Sequence, residues 1–129
     1  MIKVVTTLKR KAGLSTANFR EYYENNHRLI GEKYLRNYAA RYVRRYLNPQ
    51  PDSDGNMLEP DVDVLLEIWF ENEERLQACG ARLSEPEVAR EILIDEEQLF
   101  DRSSKRSYVV EEFESQLPGQ SAAEHGVTR

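Results

Sequence analysis

The chain alternates between two hydrophobic periods, and the order in which it does so leaves few folds open. Over residues 2–9 the period is two: Ile2, Val4, Thr6 and Leu8 share one side, Lys3, Val5, Thr7 and Lys9 the other. That is the pattern of a strand with one drier face. A turn is expected at 9–13, and Ser15 is a good N-cap. Helical spacing follows. Phe19, Tyr22, Tyr23, Asn26, His27 and Ile30 fall on one face, with Arg20, Glu21, Glu24 and Arg28 mostly outside. Gly31 is expected to end or bend this helix.

Period two returns at residues 38–47. Tyr38, Ala40, Tyr42, Arg44 and Tyr46 lie on one side; Ala39, Arg41, Val43, Arg45 and Leu47 lie on the other. Tyr and Val favour a strand, and Arg on both sides suits an edge. Residues 48–56 carry Pro, Asp, Asn and Gly and read as a loop. A third strand is expected over 61–70. It sets Val62, Val64, Leu66, Ile68 and Phe70 on an unbroken apolar face, with Asp63, Leu65, Glu67 and Trp69 opposite. It is the most central of the strands. Asn72 caps a helix through Leu76 and Cys79, which Gly80 weakens. Ser84 and Glu87 form a capping-box pattern for a second helix, with Val88, Ile92, Asp95 and Leu99 on its stripe. A turn at 101–105 and a fourth strand at 106–113 complete the pattern.

The order is β-α-β-β-α-β. Right-handed crossovers and antiparallel pairing then give an α+β, ferredoxin-like four-stranded sheet in spatial order 4-1-3-2, with helices on one face. The uncovered sheet face invites a second copy, and two such sheets face to face make a dimeric α+β barrel. The domain is expected to span 1–113. Residues 114–129 are rich in Ser, Gln, Gly and Ala and are read as a mobile tail.

Several function classes are excluded at this level. Apolar runs are broken by charges, as Val62–Phe70 is by Asp63 and Glu67, so no membrane span is expected. The N-terminus reads as a strand and not as a signal peptide. The lone Cys79 and the two distant histidines, His27 and His125, offer no metal-ligand spacing, and a reducing cytoplasm is the natural setting. There is no phosphate loop, dinucleotide fingerprint or nucleophile elbow, so no cofactor is expected. Residues 1–50 carry 11 basic and 3 acidic side chains; residues 51–129 carry 7 basic and 20 acidic. With a net charge of −5 and one basic-aromatic strand, nucleic acid is a poor partner. The basic second strand and the acidic end of the fourth, Glu111, Glu112 and Glu114, suggest complementary edges that set the register of a homodimer.

In sequence order, several motifs resemble the EthD-domain family of dimeric α+β barrels. They are Phe19-x-x-Tyr22-Tyr23-x-x-x-His27, Tyr42-Val43-Arg44-Arg45-Tyr46-Leu47 and Glu67-Ile68-Trp69-Phe70. The runs Asp95-Glu96-x-x-Leu99-Phe100-Asp101 and Val109-Val110-Glu111-Glu112 fit as well. The resemblance covers about 2–113. Family members often have proline two residues after the helix histidine; Leu29 stands there in this chain. Relatives include polyketide dehydratases and cyclases, and lactone isomerases, so the resemblance implies a pocket more firmly than a reaction.

His27 is the leading candidate for chemistry, since imidazole moves protons near neutral pH. Tyr23 lies one turn earlier and its hydroxyl is placed to meet the same ligand. A packed, hydrogen-bonded core histidine is the competing reading. Tyr42 and Arg44 suggest a wall for an aromatic or oxyanionic ligand, against a plain edge strand. Glu67 is either a base beside His27 or the partner of a second-strand arginine; Trp69 shares its side. Asp95 either faces the pocket or lies at its boundary. Cys79 reads as packing and His125 has no role. The expected function is cofactor-free proton transfer, in dehydration, cyclisation or isomerisation, on an aromatic or polyketide-like molecule. Two alternatives stand beside it: a non-catalytic dimeric ligand-binding or stress-accessory protein, and a cofactor-free monooxygenase on a phenol. Haem degradation is weaker, because the motifs carry no haem signature.

Overall fold

A computed structural model describes residues 1–119. The elements are β1 (Ile2–Arg10), α1 (Thr16–Tyr22), a π-helical segment (Tyr23–His27), α2 (Arg28–Leu35), β2 (Arg41–Tyr46), β3 (Val64–Phe70), α3 (Glu73–Leu83), α4 (Pro86–Glu96) and β4 (Phe100–Val109). The strands form one antiparallel sheet in the order β2-β3-β1-β4, the expected 4-1-3-2. The helices pack on one face. Parity decides which residues meet them. Val4 lies opposite Ile68, and Thr6 opposite Leu66 and Ser107; Tyr42 and Arg44 continue the same rows on β2. The main core joins Leu8, Val64 and Leu66 from the sheet to Phe19, Tyr23, Leu99 and Phe100.

The first helix does not stop at Gly31. It runs on to Leu35, because Gly31 is where the helix presses on the ring of Tyr42. A Cβ there would lie 2.9 Å from Tyr42 Cε2. At Gly80, inside α3, an added Cβ meets nothing within 4 Å. Ala is the better helix former at both positions. Gly80→Ala should therefore raise stability by about 0.5–1 kcal/mol. Gly31→Ala should lower it by about 1–3 kcal/mol, since the half-buried Tyr42 ring must move. Urea unfolding of the pair measures both.

Four further expectations are corrected. The π segment, in which the Arg28 N–H bonds the Tyr23 carbonyl, re-aims the helix face. Asn26 is exposed, and Glu24 turns toward the sheet. Ser84 ends α3 by donating to the Gly80 carbonyl, and α4 starts on Pro86 with Glu85 at its cap. Residues 101–105 are not a connecting turn. They lie within β4 as a bulge: β1 advances from Thr7 to Lys9 while β4 goes from Arg106 to Asp101. Asp101 Oδ1 accepts from the Ser103 N–H and hydroxyl, and Ser104 Oγ accepts from the Lys9 N–H. The turn chemistry is real but serves a strand interruption. β4 ends at Val109 and Phe113 is exposed. The part of the expected tail at 120–129, with His125, lies outside the described residues.

Candidate functional site

The site lies between the helices and the sheet, where the π segment turns His27 inward. His27 is 7 % exposed. Its Nδ1 is 2.7 Å from Asp95 Oδ2, and the second Asp95 oxygen, Oδ1, accepts the Tyr22 hydroxyl at 2.6 Å. This carboxylate hydrogen bond pushes the Tyr22 hydroxyl up to about 12, so it stays a donor. Asp95 thus fixes which ring nitrogen carries its proton toward α4. Nε2 makes no hydrogen bond to the described residues and is the nitrogen left for a ligand.

Two cavities share His27 as wall, together with Leu35, Leu66, Ile68 and Leu83. The larger is about 260 Å³, below the drug-sized range of about 300–1,000 Å³. Its apolar end is built from Ile68, Phe70, Leu76 and Leu83; its polar end holds Thr6, Ser107, Glu96 and Lys105. The smaller, about 110 Å³, is lined by Tyr23, Tyr34 and Tyr42 among aliphatic side chains. Cys79 lines the larger cavity, and burial pushes its thiol up, which suits packing and not nucleophilic attack.

Tyr23 is fully buried and stacks edge-on against His27, with centroids 5.1 Å apart. Its hydroxyl is 2.6 Å from that of Tyr42. Burial first, then the Tyr42 neighbour, raises Tyr23 well above the usual phenol range; burial pushes Tyr42 up to about 12. Both are neutral donors at pH 7. Arg44 does not stand free as an oxyanion binder. Its guanidinium forks onto Glu24 at 2.9 and 2.7 Å, and Glu24 also accepts the Tyr46 hydroxyl at 2.6 Å.

The structure separates Glu67 and Trp69 from His27. Odd positions of β3 point to the helix-free face, so neither lines either cavity beside His27. Glu67 is paired there with Arg45, accepts from Trp69 Nε1 at 3.1 Å, and lies 3.5 Å from Lys3 Nζ. This is the pairing alternative, and the reading of Glu67 as a base beside His27 is corrected. Asp95 lies behind the His27 ring and lines neither of the two cavities beside it. Sequence reasoning missed Tyr22 as the holder of Asp95, and missed Glu96, Lys105, Thr6 and Ser107 as the polar end. The stripe that carries Asp95 carries no signal for its neighbour Glu96. Among the described residues no cluster of three or more His, Cys, Asp or Glu is placed for a metal ion, and no helix is long and apolar enough to cross a membrane.

The hydrogen bond from Arg44, ahead of that from Tyr46, holds the Glu24 carboxyl below the usual carboxylate range. A depressed folded-state value adds stability above the unfolded value, near 4.3, that is lost as the pH falls through the folded one. Glu24→Gln should therefore cost about 1 kcal/mol at pH 7, the solvent contact of Glu24 being allowed for. The cost should vanish in acid below that range, as urea unfolding at the two pH values would report.

The model of the EthD domain matches residues 11–103. No curated protein matches the chain. Among solved structures, an ethyl tert-butyl ether D (EthD) family protein from Bacillus halodurans C-125 is 17 % identical, with a TM-score of 0.58 over 88 % of this chain and 100 % of that one. At3g17210 from Arabidopsis thaliana is 15 % identical, with a TM-score of 0.54 over 91 % and 100 %. HapK from Hahella chejuensis is 9 % identical, with a TM-score of 0.55 over 93 % and 100 %. At such identities the structures establish the fold alone, while the domain match spans most of the sequence and includes the Tyr22, Tyr23, His27 and Asp95 constellation: the chain belongs to the EthD domain family.

Proposed function

We propose that this protein is a cytoplasmic, cofactor-free catalyst of proton transfer on a small aromatic or polyketide-like molecule, and that it works as a homodimer. One observation carries the reading: the 2.7 Å bond between His27 Nδ1 and Asp95 in a buried site with a cavity beside the ring. A carboxylate behind an imidazole holds its tautomer and stabilises the imidazolium that forms when the far nitrogen takes a proton. The substrate would present a carbon acid, such as a position next to a carbonyl. His27 Nε2 removes that proton and returns it to another position in isomerisation, or to a departing hydroxyl in dehydration. The neutral Tyr23–Tyr42 pair offers a donor in the smaller lobe for the enolate oxygen. The apolar wall excludes water.

The test uses 2-tetralone, an aromatic ketone with acidic protons between ring and carbonyl. The protein should speed deuterium uptake from heavy water at that carbon, and His27→Ala should abolish the acceleration. The monooxygenase alternative predicts oxygen consumption, which proton exchange does not. A purely ligand-binding protein would leave the exchange at the buffer rate. Homodimerisation is supported by the helix-free sheet face, where Val5, Val43, Leu65 and Trp69 are only partly buried in the single chain.

A further inference from the structure

Glu96 ends α4 within the larger cavity, and the proton-transfer reading leaves it unused. Its side chain is 8 % exposed. A carboxylate offers about four acceptor sites, and buried ones are ordinarily filled. Among the described residues the Glu96 side chain has one hydrogen bond, a long one of 3.4 Å from Lys105 Nζ to Oε2. Arg102 Nε stands 3.6 Å from Oε1, beyond hydrogen-bond reach. Both cations are about half exposed, and pairs this open to water hold weakly. The acceptor capacity left over is not sealed from water, and a ligand O–H that fills it inside the cavity gains more than one at the open surface.

The surroundings narrow the donor. Thr6 Oγ1 and Ser107 Oγ lie 2.9 Å apart at the same polar end. One hydroxyl donates to the other, and the accepting one keeps its own hydrogen to offer to an oxygen. The group that both takes a hydrogen bond from this pair and gives one to Glu96 is a hydroxyl. The rest of the cavity, from Ile68 to Leu83, is apolar. We propose that the larger cavity binds its ligand by a phenolic or enolic hydroxyl, with Glu96 accepting the O–H and the apolar body of the ligand packed toward Phe70 and Leu76. This rests on the same cavity as the proposed function but not on proton transfer by His27. Exposed Lys105 and Ser107 place the entrance along β4. A buried acceptor in such a site discriminates against the analogue that lacks the donor.

The experiment titrates the full chain with 2-naphthol, neutral at pH 7, and with 2-methoxynaphthalene, its methyl ether. Wild-type protein should bind the naphthol about 10- to 100-fold more tightly, the value of one hydrogen bond to a charged acceptor. Glu96→Met should remove the preference by weakening the naphthol alone. Glu96→Gln keeps the shape and a neutral acceptor, and should narrow the preference without erasing it. If Glu96→Met fails to fold, the narrowing in Glu96→Gln decides. Equal affinity in the wild type, an unchanged preference in Glu96→Gln, or no binding of either compound to the wild type would overturn the proposal. Failure of the proton-transfer reading is seen separately, as absent deuterium uptake by 2-tetralone.

Discussion

His27→Ala should slow deuterium uptake by 2-tetralone about 10²–10⁴-fold, to the rate in buffer, because a positioned general base contributes about that much. Asp95→Asn tests the geometry more sharply. The amide keeps the shape, but its NH₂ can face Nδ1 and reverse the tautomer, so the loss should approach that of His27→Ala. Tyr22→Phe removes only the bond that holds Asp95 Oδ1, and a loss of about tenfold is expected from this positioning role. The graded order, alanine at His27 worst, asparagine next and Tyr22→Phe mildest, is what a held imidazole requires. A packed structural histidine would instead show loss of stability with no change in exchange per folded molecule. Unchanged uptake in a folded His27→Ala protein would remove His27 from the chemistry.

Much of this was readable along the chain, for a physical reason. Strand parity and capping are local, so β1, β3, the loop at 48–56 and the Asn72 cap follow from neighbours in sequence. The sheet order followed from connection rules. What was not readable depends on how distant helices meet. Asp95 reaches His27 only because α4 packs across α1 and the π segment. The π segment itself changes which helix residues face inward, and nothing in Tyr23–His27 announces a wider turn. Residues 101–105 carry ordinary turn chemistry, and only the pairing with β1 turns them into a bulge; that misreading hid Lys105 and the polar end of the cavity.

The lopsided charge is also explained by packing. Many cations of the first part find carboxylates of the second within the same chain: Lys3 with Glu112, Arg10 with Asp63, Lys33 with Glu91, and Arg45 with Glu67. Arg44 is taken by Glu24. β2 therefore presents less free positive charge at its edge than its sequence suggests. A contact between basic and acidic edges of two copies is correspondingly weaker as a guide to assembly than the helix-free face itself.

Leu65→Arg should convert the proposed dimer to monomers, raising its dissociation constant at least about a thousandfold. Leu65 lies between Thr7 and Arg45 on the face turned away from the helices, so the substitution leaves the helix-side core of Val64 and Leu66 untouched. An arginine there sets a charge beside Arg45 and next to the row of Val5 and Val43. Burying it unpaired against a second sheet costs several kcal/mol, which is the size of a central interface residue. The neighbouring charges deepen the effect. Glu67 is already shared by Arg45, Lys3 and the Trp69 N–H, and Trp69 is flanked by Lys3 and Arg41 at 4.3 and 4.5 Å from its ring. The carboxylate two residues along the same face is thus already engaged by other donors. Sedimentation velocity should show half the mass with unaltered helical and strand signals. A wild-type monomer, or a Leu65→Arg protein that still dimerises, would move the interface off this face and leave its half-buried Trp69 to some other partner.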